Sequence, residues 1–229
     1  MQNQDQLKQE AARRAVQFVE SGMILGLGTG STTRFALEFI GQAIGKGELT
    51  NIQGVPSSLQ TESQANEFGI PLTTLENHSE IDLTIDGADE VDEALNLIKG
   101  GGGALLREKV IAQASRRNII IVDESKVSPR LGTLWALPVE VIPFAWKPIS
   151  DFIRSLGATV VLREISPGSP FTTDQNNQIL DCRFGPIEDP EALAGQLDQR
   201  AGVLEHGLFI NLATDVLVAG KGGIRHLKR

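Results

Sequence analysis

Cysteine is almost absent from this chain, since Cys182 is the only one among 229 residues. An intrachain disulfide is therefore impossible, and the neighbours Leu180 and Phe184 favour a packed core thiol over a nucleophile. No apolar run approaches the roughly 20 residues that a membrane-spanning helix needs. The first ten residues also lack the basic and then apolar segments of a signal peptide. These absences predict a protein of the cytoplasm or of a similarly reducing compartment.

Basic charge is scarce as well. Lysine and arginine number 21 against 29 acidic residues, for a formal net charge of −8, and no Lys/Arg run is visible. Because duplex DNA requires a basic face, we expect no nucleic-acid partner. We also expect no membrane partner, since no long apolar run is present. A phosphorylated small molecule stays possible, because a helix N-terminus and one or two lysines can bind it locally. A solvated chain end is predicted for the basic tail residues Lys221, Arg225, Lys228 and Arg229.

Histidine is equally sparse. The three histidines are widely spaced, match no metal-ligand pattern, and are assigned surface or packing roles: His78, His206 and His226.

What the chain does have is glycine, 24 residues of it, between alternating apolar and amphipathic segments. Strands are predicted at 23–27, 52–55, 81–85 and 119–122, and helices at 4–20, 32–44, 59–68 and 104–115. This alternation predicts an α/β fold, with a Rossmann-like, mostly parallel sheet and helices on both of its faces.

The regular alternation of predicted strands and helices ends near residue 131. A strand at 134–142, a helix at 149–156, a hairpin of 159–162 with 179–184, and a helix capped by Asp189-Pro190 predict a smaller α+β domain of ferredoxin-like type. The apolar runs 208–212 and 216–219 are expected to complete the first sheet. We therefore predict an α/β catalytic domain of residues 1–131 and 205–229, with an inserted domain of residues 132–204.

The first loop whose residues could bind a ligand covers residues 26–33, between a predicted strand and a predicted helix. Its glycines allow a ligand to approach the backbone, and hydroxyls stand at the helix N-terminus, an arrangement that suits a phosphate. The hydroxyl-bearing residues are Thr29, Ser31 and Thr32, around Gly30. Ser31 replaces the third glycine of a dinucleotide-binding pattern, and this disfavours a nicotinamide dehydrogenase. A tight turn without a ligand remains open.

The second loop, Asp86-Gly87-Ala88-Asp89-Glu90, follows the predicted strand 81–85. In an open α/β sheet ligands bind at the carboxyl ends of the strands, where Asp86 and Asp89 could accept hydrogen bonds from sugar hydroxyls. A Mg²⁺ site and a solvated charge run that extends to Glu93 remain alternatives.

The third loop joins Lys99 to four glycines, Gly100–Gly103, ahead of a helix. Four glycines cost conformational entropy, and their amides beside a lysine can receive an anion. In the following helix, apolar neighbours surround Glu108 at three- and four-residue spacing. Such surroundings favour protonation of the carboxyl and so predict a general base, although nearby cations oppose this and a surface ion pair remains open. Lys126 follows the strand 119–122 and is either a substrate contact or a solvated lysine.

Five motifs in this order resemble the ribose-5-phosphate isomerase A family. They are GLGTGSTT at 26–33, DGADE at 86–90, KGGGGALLREK at 99–109, DESK at 123–126 and LPVEVIP at 137–143. The segment 207–220 is similar to that family too, whereas residues 145–200 resemble it only faintly.

The resemblance implies interconversion of D-ribose 5-phosphate and D-ribulose 5-phosphate in the non-oxidative pentose phosphate pathway. Glu108 would be the base, working through a cis-enediolate, with Asp86, Asp89 and Lys99 as further catalytic residues. The family implies no metal, no cofactor, and a homodimer or homotetramer. The implied substrate contacts are Thr29, Gly30, Ser31, Thr32, Asp86, Gly87, Ala88, Asp89, Lys99, Gly100, Gly101, Gly102 and Lys126. Two other functions remain open, a related enzyme for a CoA thioester with a nucleophilic glutamate and a sugar-phosphate sensor without turnover.

Overall fold

The computed structural model describes residues 4–229. The helices are α1 Gln4–Val16, α2 Ser31–Gly45, α3 Leu59–Glu67, α4 Leu105–Ala114, α5 Trp146–Ser155 and α6 Pro190–Asp198. The strands are β1 Ile24–Leu27, β2 Gln53–Pro56, β3 Leu83–Asp86, β4 Glu90–Val91, β5 Leu97–Ile98, β6 Asn118–Asp123, β7 Leu137–Val141, β8 Thr159–Leu162, β9 Glu164–Ser166, β10 Ser169–Pro170, β11 Gln178–Arg183, β12 Val203–His206, β13 Leu208–Phe209, β14 Asp215–Gly220 and β15 Gly223–Lys228. No helix in this range is both long and apolar enough to span a membrane.

The chain divides into two compact units. Unit 1 contains residues up to Ala88 together with 107–126 and 211–229, and unit 2 contains residues 89–106 and 127–210. This division assigns 89–106 to the second unit, whereas the domains drawn from the sequence place that segment in the first. Those sequence-based domain bounds stay a prediction.

Unit 1 contains a six-stranded sheet in the order β15-β14-β6-β3-β1-β2. All neighbouring strands are parallel except β14 and β15, which pair antiparallel from Asp215–Lys228 to Gly220–Gly223. The predicted α/β sheet is therefore confirmed, and the run 216–219 joins it as expected. The basic tail residues Lys221, Arg225, Lys228 and Arg229 are exposed, as expected of a solvated end, although residues 223–228 also form the edge strand β15.

Helices cover both faces of this sheet. Every residue of β6 is buried, as in strands that are covered on two sides. Leu25 and Leu27 of β1 pack in a core with α1 and α2. Gly26 points to the opposite face, where an added Cβ would overlap the side chains of Thr84 and of Ile111 in α4. Alternation along β1 thus brings α4 against the face that α1 and α2 leave uncovered.

Unit 2 contains a four-stranded antiparallel sheet in the order β12-β7-β11-β8. In chain order its elements run β7-α5-β8-β11-α6-β12, which is the ferredoxin-like arrangement predicted for the insert. Asp189 caps α6 by accepting a hydrogen bond from the Ala192 amide at 2.9 Å, with Pro190 as the first helical residue. Cys182 is fully buried in this core, and burial raises the pKa of its thiol, as expected of a packed cysteine.

Six strands of unit 2 differ from the prediction, since β13 pairs elsewhere and β4, β5, β9, β10 and β12 were not predicted. Residues 208–209 form β13, which pairs with β5 in a small sheet of order β13-β5-β4, so their assignment to the first sheet is wrong. Strands β4 and β5 were not predicted, because two residues are too few to show a period.

Candidate active site

Three loops of unit 1 leave the same edge of its sheet. Strands β1, β3 and β6 are parallel neighbours, so the loops that follow them begin at their common carboxyl edge. From β1 the chain crosses to β2 on one side, and the later strands β3 and β6 lie on the other side. Such a reversal of strand order is where open α/β sheets bind ligands. Thr29, Asp86 and Lys126 all follow or end these three strands.

Asp86 is a buried carboxylate at this edge, and only 3% of it is exposed. Its Oδ1 accepts hydrogen bonds from the amides of Thr29, at 3.2 Å, and Gly87, at 2.7 Å. An added Cβ at Gly28 would overlap this carboxylate. Gly28 is therefore required by the approach of the protein's own Asp86, whatever else binds there.

The hydroxyl of Thr29 is held by a cluster of hydroxyls at the start of α3. Its Oγ1 lies 2.8 Å from Ser57 Oγ, 2.8 Å from Ser58 Oγ and 2.9 Å from Thr61 Oγ1. Thr61 in turn donates to the carbonyl of Gly28 at 3.0 Å. This cluster fixes the loop that opens α2. Ser57, Ser58 and Thr61 belong to no motif, so they were not predicted from the sequence.

The loop ends at Gly30, which precedes α2 with φ of +133°, a region that favours glycine. Gly30 and Ser31 are exposed, while Thr32 is half-buried. The first amides of a helix lack intrahelical partners, so this N-terminus can receive an anion such as phosphate.

Glu108 lies in the first turn of α4, and only 5% of it is exposed. Leu105, three residues before it, and Ile111, three residues after it, are also buried. Lys109 is buried as well, while Arg107 is half-buried. The expectation that at least one of these three charges points inward therefore holds for two of them.

Lys126 ends a short 3-10 turn, Glu124–Lys126, directly after β6. Asp123 anchors this turn, because its Oδ1 accepts hydrogen bonds from the amide and the hydroxyl of Ser125. Burial alone would raise the pKa of Asp123, but the hydrogen bonds from Ser125 and Gln4 and the charge of Lys126 hold that pKa below its ordinary value. Lys126 itself is half-buried.

In unit 2, Asp89 is bonded to the glycine run. Its Oδ2 accepts a hydrogen bond from the Gly101 amide at 2.7 Å, and an added Cβ on Gly101 would lie 2.6 Å from the other carboxylate oxygen. Gly100 and Gly103 have φ of +104° and +82°, which other residues rarely adopt. Three of the four glycines thus have a local structural reason to be glycine.

Lys99, just ahead of the glycine run, is 3% exposed. Its amide donates to the carbonyl of Gly207 at 2.9 Å, and its Nζ lies 5.5 Å from the ring centroid of Phe209. A cation over an aromatic ring gains electrostatic stabilisation. The charge is therefore held inside unit 2 and is no solvated lysine.

Comparison with known proteins decides which family these loops belong to. The family model described as ribose 5-phosphate isomerase A (phosphoriboisomerase A) matches residues 53–223. The chain belongs to the ribose 5-phosphate isomerase A family.

Relatives of full length support this membership. The chain is 57% identical over 228 residues to ribose-5-phosphate isomerase A of Desulfatibacillum aliphaticivorans, covering 100% of this chain and 99% of the relative. It is 56% identical over 220 residues to the protein of the same name from Chloroflexus aurantiacus, covering 96% and 92%.

Solved structures of this family match the fold throughout. A D-ribose-5-phosphate isomerase in complex with phospho-erythronic acid is similar at a TM-score of 0.97 and 39% identity, covering 100% of both chains. Ribose 5-phosphate isomerase from Plasmodium falciparum is similar at a TM-score of 0.95 and 42% identity, covering 98% of this chain and 99% of that one.

Glu90 is the last residue of the family's DGADE motif, for which a solvated charge run was one of the interpretations. It is fully buried and accepts five hydrogen bonds, four of them from backbone amides. The donors are the hydroxyl of Ser128 and the amides of Gly132, Thr133, Leu134 and Trp135, at 2.6 to 3.1 Å. The solvated reading of this motif is therefore wrong for Glu90 and for the buried Asp86. No sequence signal marks these donors, because backbone amides carry no residue identity.

The histidines make structural contacts. The imidazole of His206 is 3% exposed, lies 3.1 Å from an oxygen of Asp198 through Nε2, and accepts from the Leu208 amide through Nδ1. The imidazole of His226 lies 2.7 Å from Asp215, and that of His78 lies 3.1 Å from Gln53.

Proposed function

We propose that the chain interconverts D-ribose 5-phosphate and D-ribulose 5-phosphate, with Glu108 as the proton-transferring base. The proposed reaction and substrate are supported by membership of the ribose 5-phosphate isomerase A family, with a relative that matches over the whole chain. The buried carboxylate of Glu108 in the first turn of α4 supports the choice of base.

The ligand of the similar solved structure supports an enediolate. That relative is in complex with phospho-erythronic acid, which combines a phosphate with a carboxylate. A carboxylate presents two oxygens in one plane, as a cis-enediolate does. A site that binds this ligand would therefore suit the proposed intermediate better than the substrate.

Proton transfer in the proposed reaction is balanced by a single carboxylate. Glu108 takes the proton from C2 of the open-chain aldose, and the released electron pair forms the C1–C2 double bond while O1 becomes an oxyanion. Return of that proton to C1, with the hydroxyl proton moving from O2 to O1, yields the ketose. One group thus serves as base and then as acid.

The other residues of the motifs take supporting roles in this proposal. Lys99 and the amides of Gly100 and Gly102 would stabilise the oxyanion, each donor contributing on the order of 3 kcal/mol, whereas the amide of Gly101 is bonded to Asp89. Asp86 or Asp89 would assist ring opening. The amides and hydroxyls of Thr29–Thr32 and the ammonium of Lys126 would bind substrate, the helix N-terminus being suited to the phosphate.

Assembly, location and pathway complete the proposal. A homodimer or homotetramer would be measured by light scattering on the eluted protein, and a monomer at every concentration would contradict it. A cytoplasmic location agrees with the free, buried thiol of Cys182, which needs no oxidising compartment. Participation in the non-oxidative pentose phosphate pathway follows from the proposed reaction.

One assay tests both the reaction and its independence of metals. Purified protein treated with EDTA is given ribose 5-phosphate, and the formation of ketopentose phosphate is followed. We expect the turnover with EDTA to equal the turnover without it. Binding of ribose 5-phosphate with no ketopentose formed would indicate a sensor instead, and a covalent adduct on Glu108 with a CoA thioester would indicate the related acyl-transfer enzyme.

A further inference from the structure

Arg163, the residue after β8, bonds to the backbone carbonyls of the glycine run, whereas Asp89 bonds to one of its amides. The side chain of Arg163 is 14% exposed. Nη1 donates hydrogen bonds to two consecutive carbonyls, that of Gly100 at 2.9 Å and that of Gly101 at 3.1 Å. None of the five motifs includes this residue, and the proposed reaction assigns it no role.

Asp181 of β11 fixes the plane of this guanidinium. Nε of Arg163 donates to Oδ2 of Asp181 at 2.9 Å, and Nη2 donates to Oδ1. The bidentate pair leaves Nη1 directed at the glycine carbonyls. The ring of Phe171 lies beside the guanidinium of Arg163, with the ring centroid 5.7 Å from the guanidinium carbon. An added Cβ on Gly103 would come 2.5 Å from this ring.

These two hydrogen bonds from Arg163, called the clamp below, also orient the amides that follow the bonded carbonyls, because each peptide group is planar. The described chain has no cis peptide bond, so the carbonyl of one residue and the amide of the next point in opposite directions. Two carbonyls held by Arg163 therefore direct the amides of Gly101 and Gly102 away from it. The amide of Gly101 does point elsewhere, to Asp89 Oδ2 at 2.7 Å.

Without such a clamp four consecutive glycines would sample many conformations, because glycine has more backbone freedom than any other residue. Donors to an oxyanion contribute to the rate only when they are oriented before the charge develops. Groups outside the glycine run help to supply that order, and both Asp89 and the Arg163–Asp181 pair bond to the run directly.

We propose that Arg163 is a positioning residue for the isomerisation, which orients the amide of Gly102 toward the oxyanion of the enediolate, while the amide of Gly101 stays bonded to Asp89. The proposal rests on the proposed function of the chain. Arg163 acts through Gly100 and Gly101 and touches no reacting atom, and Asp181 sets its orientation.

Replacement of Arg163 by lysine tests this role. Lysine keeps the charge but cannot bond two carbonyls and a bidentate carboxylate at once. Because the amides serve the transition state more than the bound substrate, we expect Arg163→Lys to lower kcat at least about 10-fold while KM changes less than about 3-fold.

Arg154→Lys is the matched control in the same unit. Arg154 also donates to a carboxylate, that of Asp151 at 3.0 Å, and to a carbonyl, that of Val160 at 3.0 Å, but it has no bond to the glycine run. We expect its kcat to stay within about 2-fold of the parent value. The melting temperatures of both variants are measured so that loss of fold is separated from loss of rate.

Two further measurements separate orientation from general damage. Guanidinium added to Arg163→Ala is expected to restore part of kcat, and amide hydrogen exchange of residues 99–105 is expected to be faster in both Arg163 variants than in Arg154→Lys. A folded Arg163→Lys protein with kcat within about 2-fold of the parent, or with KM raised and kcat unchanged, would overturn the role of Arg163. Absence of ketopentose formation by the parent chain would instead overturn the proposed function, while the exchange measurement would still report whether the clamp exists.

Discussion

Glu108 shows how far a single residue can be assigned from its neighbours. The sequence places apolar residues one turn away on each side of it, and the structure buries it to 5% exposure beside the buried Leu105 and Ile111. A carboxylate this deeply buried is a candidate for chemistry. Its role as the base stays a prediction.

Replacement of Glu108 by glutamine tests that prediction. Glutamine keeps the shape but cannot take a proton from C2, so we expect turnover to fall at least about 100-fold while ribose 5-phosphate still binds. Turnover is measured with saturating substrate, and binding by calorimetry. Glu62→Gln is the control, since Glu62 is also a glutamate in the first turn of a helix, α3, but is exposed. Near-parental turnover of Glu108→Gln would rule out this residue as the base.

Gly28 shows where the interpretation of a motif from sequence was incomplete. The glycines of residues 26–33 suggest close approach of a ligand, yet at Gly28 the group that approaches is Asp86. Sequence cannot reveal this contact, because the two residues lie 58 positions apart and meet only when β1 and β3 pair.

Gly28→Ala should therefore displace the Asp86 carboxylate. The added methyl overlaps a buried group at the end of β3, and we expect a loss of about 1–3 kcal/mol in unfolding free energy together with reduced turnover. Denaturant unfolding measures the first effect. Gly45→Ala, at the end of α2 with open space around it, is expected to be neutral or slightly stabilising. Equal stability of the two variants would contradict the overlap.

At the scale of elements, periodicity located the long helices and strands and missed the short ones. The predicted strand 159–162 coincides with β8, and the predicted helix 32–44 lies within α2. In contrast, β4 and β5 have two residues each, and β15 has no fully buried face to produce alternation. What the sequence could not show is pairing, which places β13 beside β5 and not in the first sheet.

Glu90 and Glu140 are buried glutamates on strands of unit 2, and we expect replacement by glutamine to change the unfolding free energy in opposite directions at the two positions. Both oxygens of Glu90 accept from N–H or O–H donors. Glu140 accepts from Thr173 at 2.8 Å and Asn177 at 2.9 Å through Oε1 alone, and its Oε2 has no protein partner within residues 4–229. Glutamine would set an NH₂ group against the donors around Glu90, but not around Glu140.

We therefore expect Glu90→Gln to lower the unfolding free energy by about 2–4 kcal/mol, and Glu140→Gln to raise it at neutral pH. Burial raises the pKa of Glu140, and the charges of Glu205 and Asp174 add to this, so its ionisation opposes folding. A group with a raised folded pKa stabilises the fold at low pH and loses that contribution as pH rises through the folded pKa. The advantage of Glu140→Gln should therefore grow with pH. Urea unfolding at pH 5 and pH 8 measures it, and a constant difference would contradict the assignment.

At the scale of the whole molecule, the alternation of strands and helices predicted the layers of the first sheet but not the order of its strands. Order depends on which strands pair, and the pair Arg117–Asp215 links segments 98 residues apart. Arg117 precedes β6, Asp215 begins β14, and His226 lies on β15, so this cluster joins three neighbouring strands.

Asp215 should make unit 1 sensitive to acid. Burial alone would raise the pKa of Asp215, but hydrogen bonds from Arg117, His226 and Thr214 hold that pKa well below its usual range. A carboxyl with a lowered folded pKa stabilises the fold above its unfolded pKa of about 4, and this stabilisation is lost as pH falls below that value. We expect Asp215→Asn to melt at a lower temperature than the parent at pH 7, with the difference shrinking as pH falls below about 4.

The control for this effect is Asp151→Asn. The pKa of Asp151 is also lowered, through hydrogen bonds from Lys147 and Arg154, but the group is exposed and its pairs are accessible to water and salt. Exposed pairs contribute little to stability, so Asp151→Asn should melt close to the parent at every pH. A pH-independent deficit in Asp215→Asn would mean that the residue acts through packing alone, and equal behaviour of the two variants would mean that the cluster across β6, β14 and β15 does not hold the edge of the sheet.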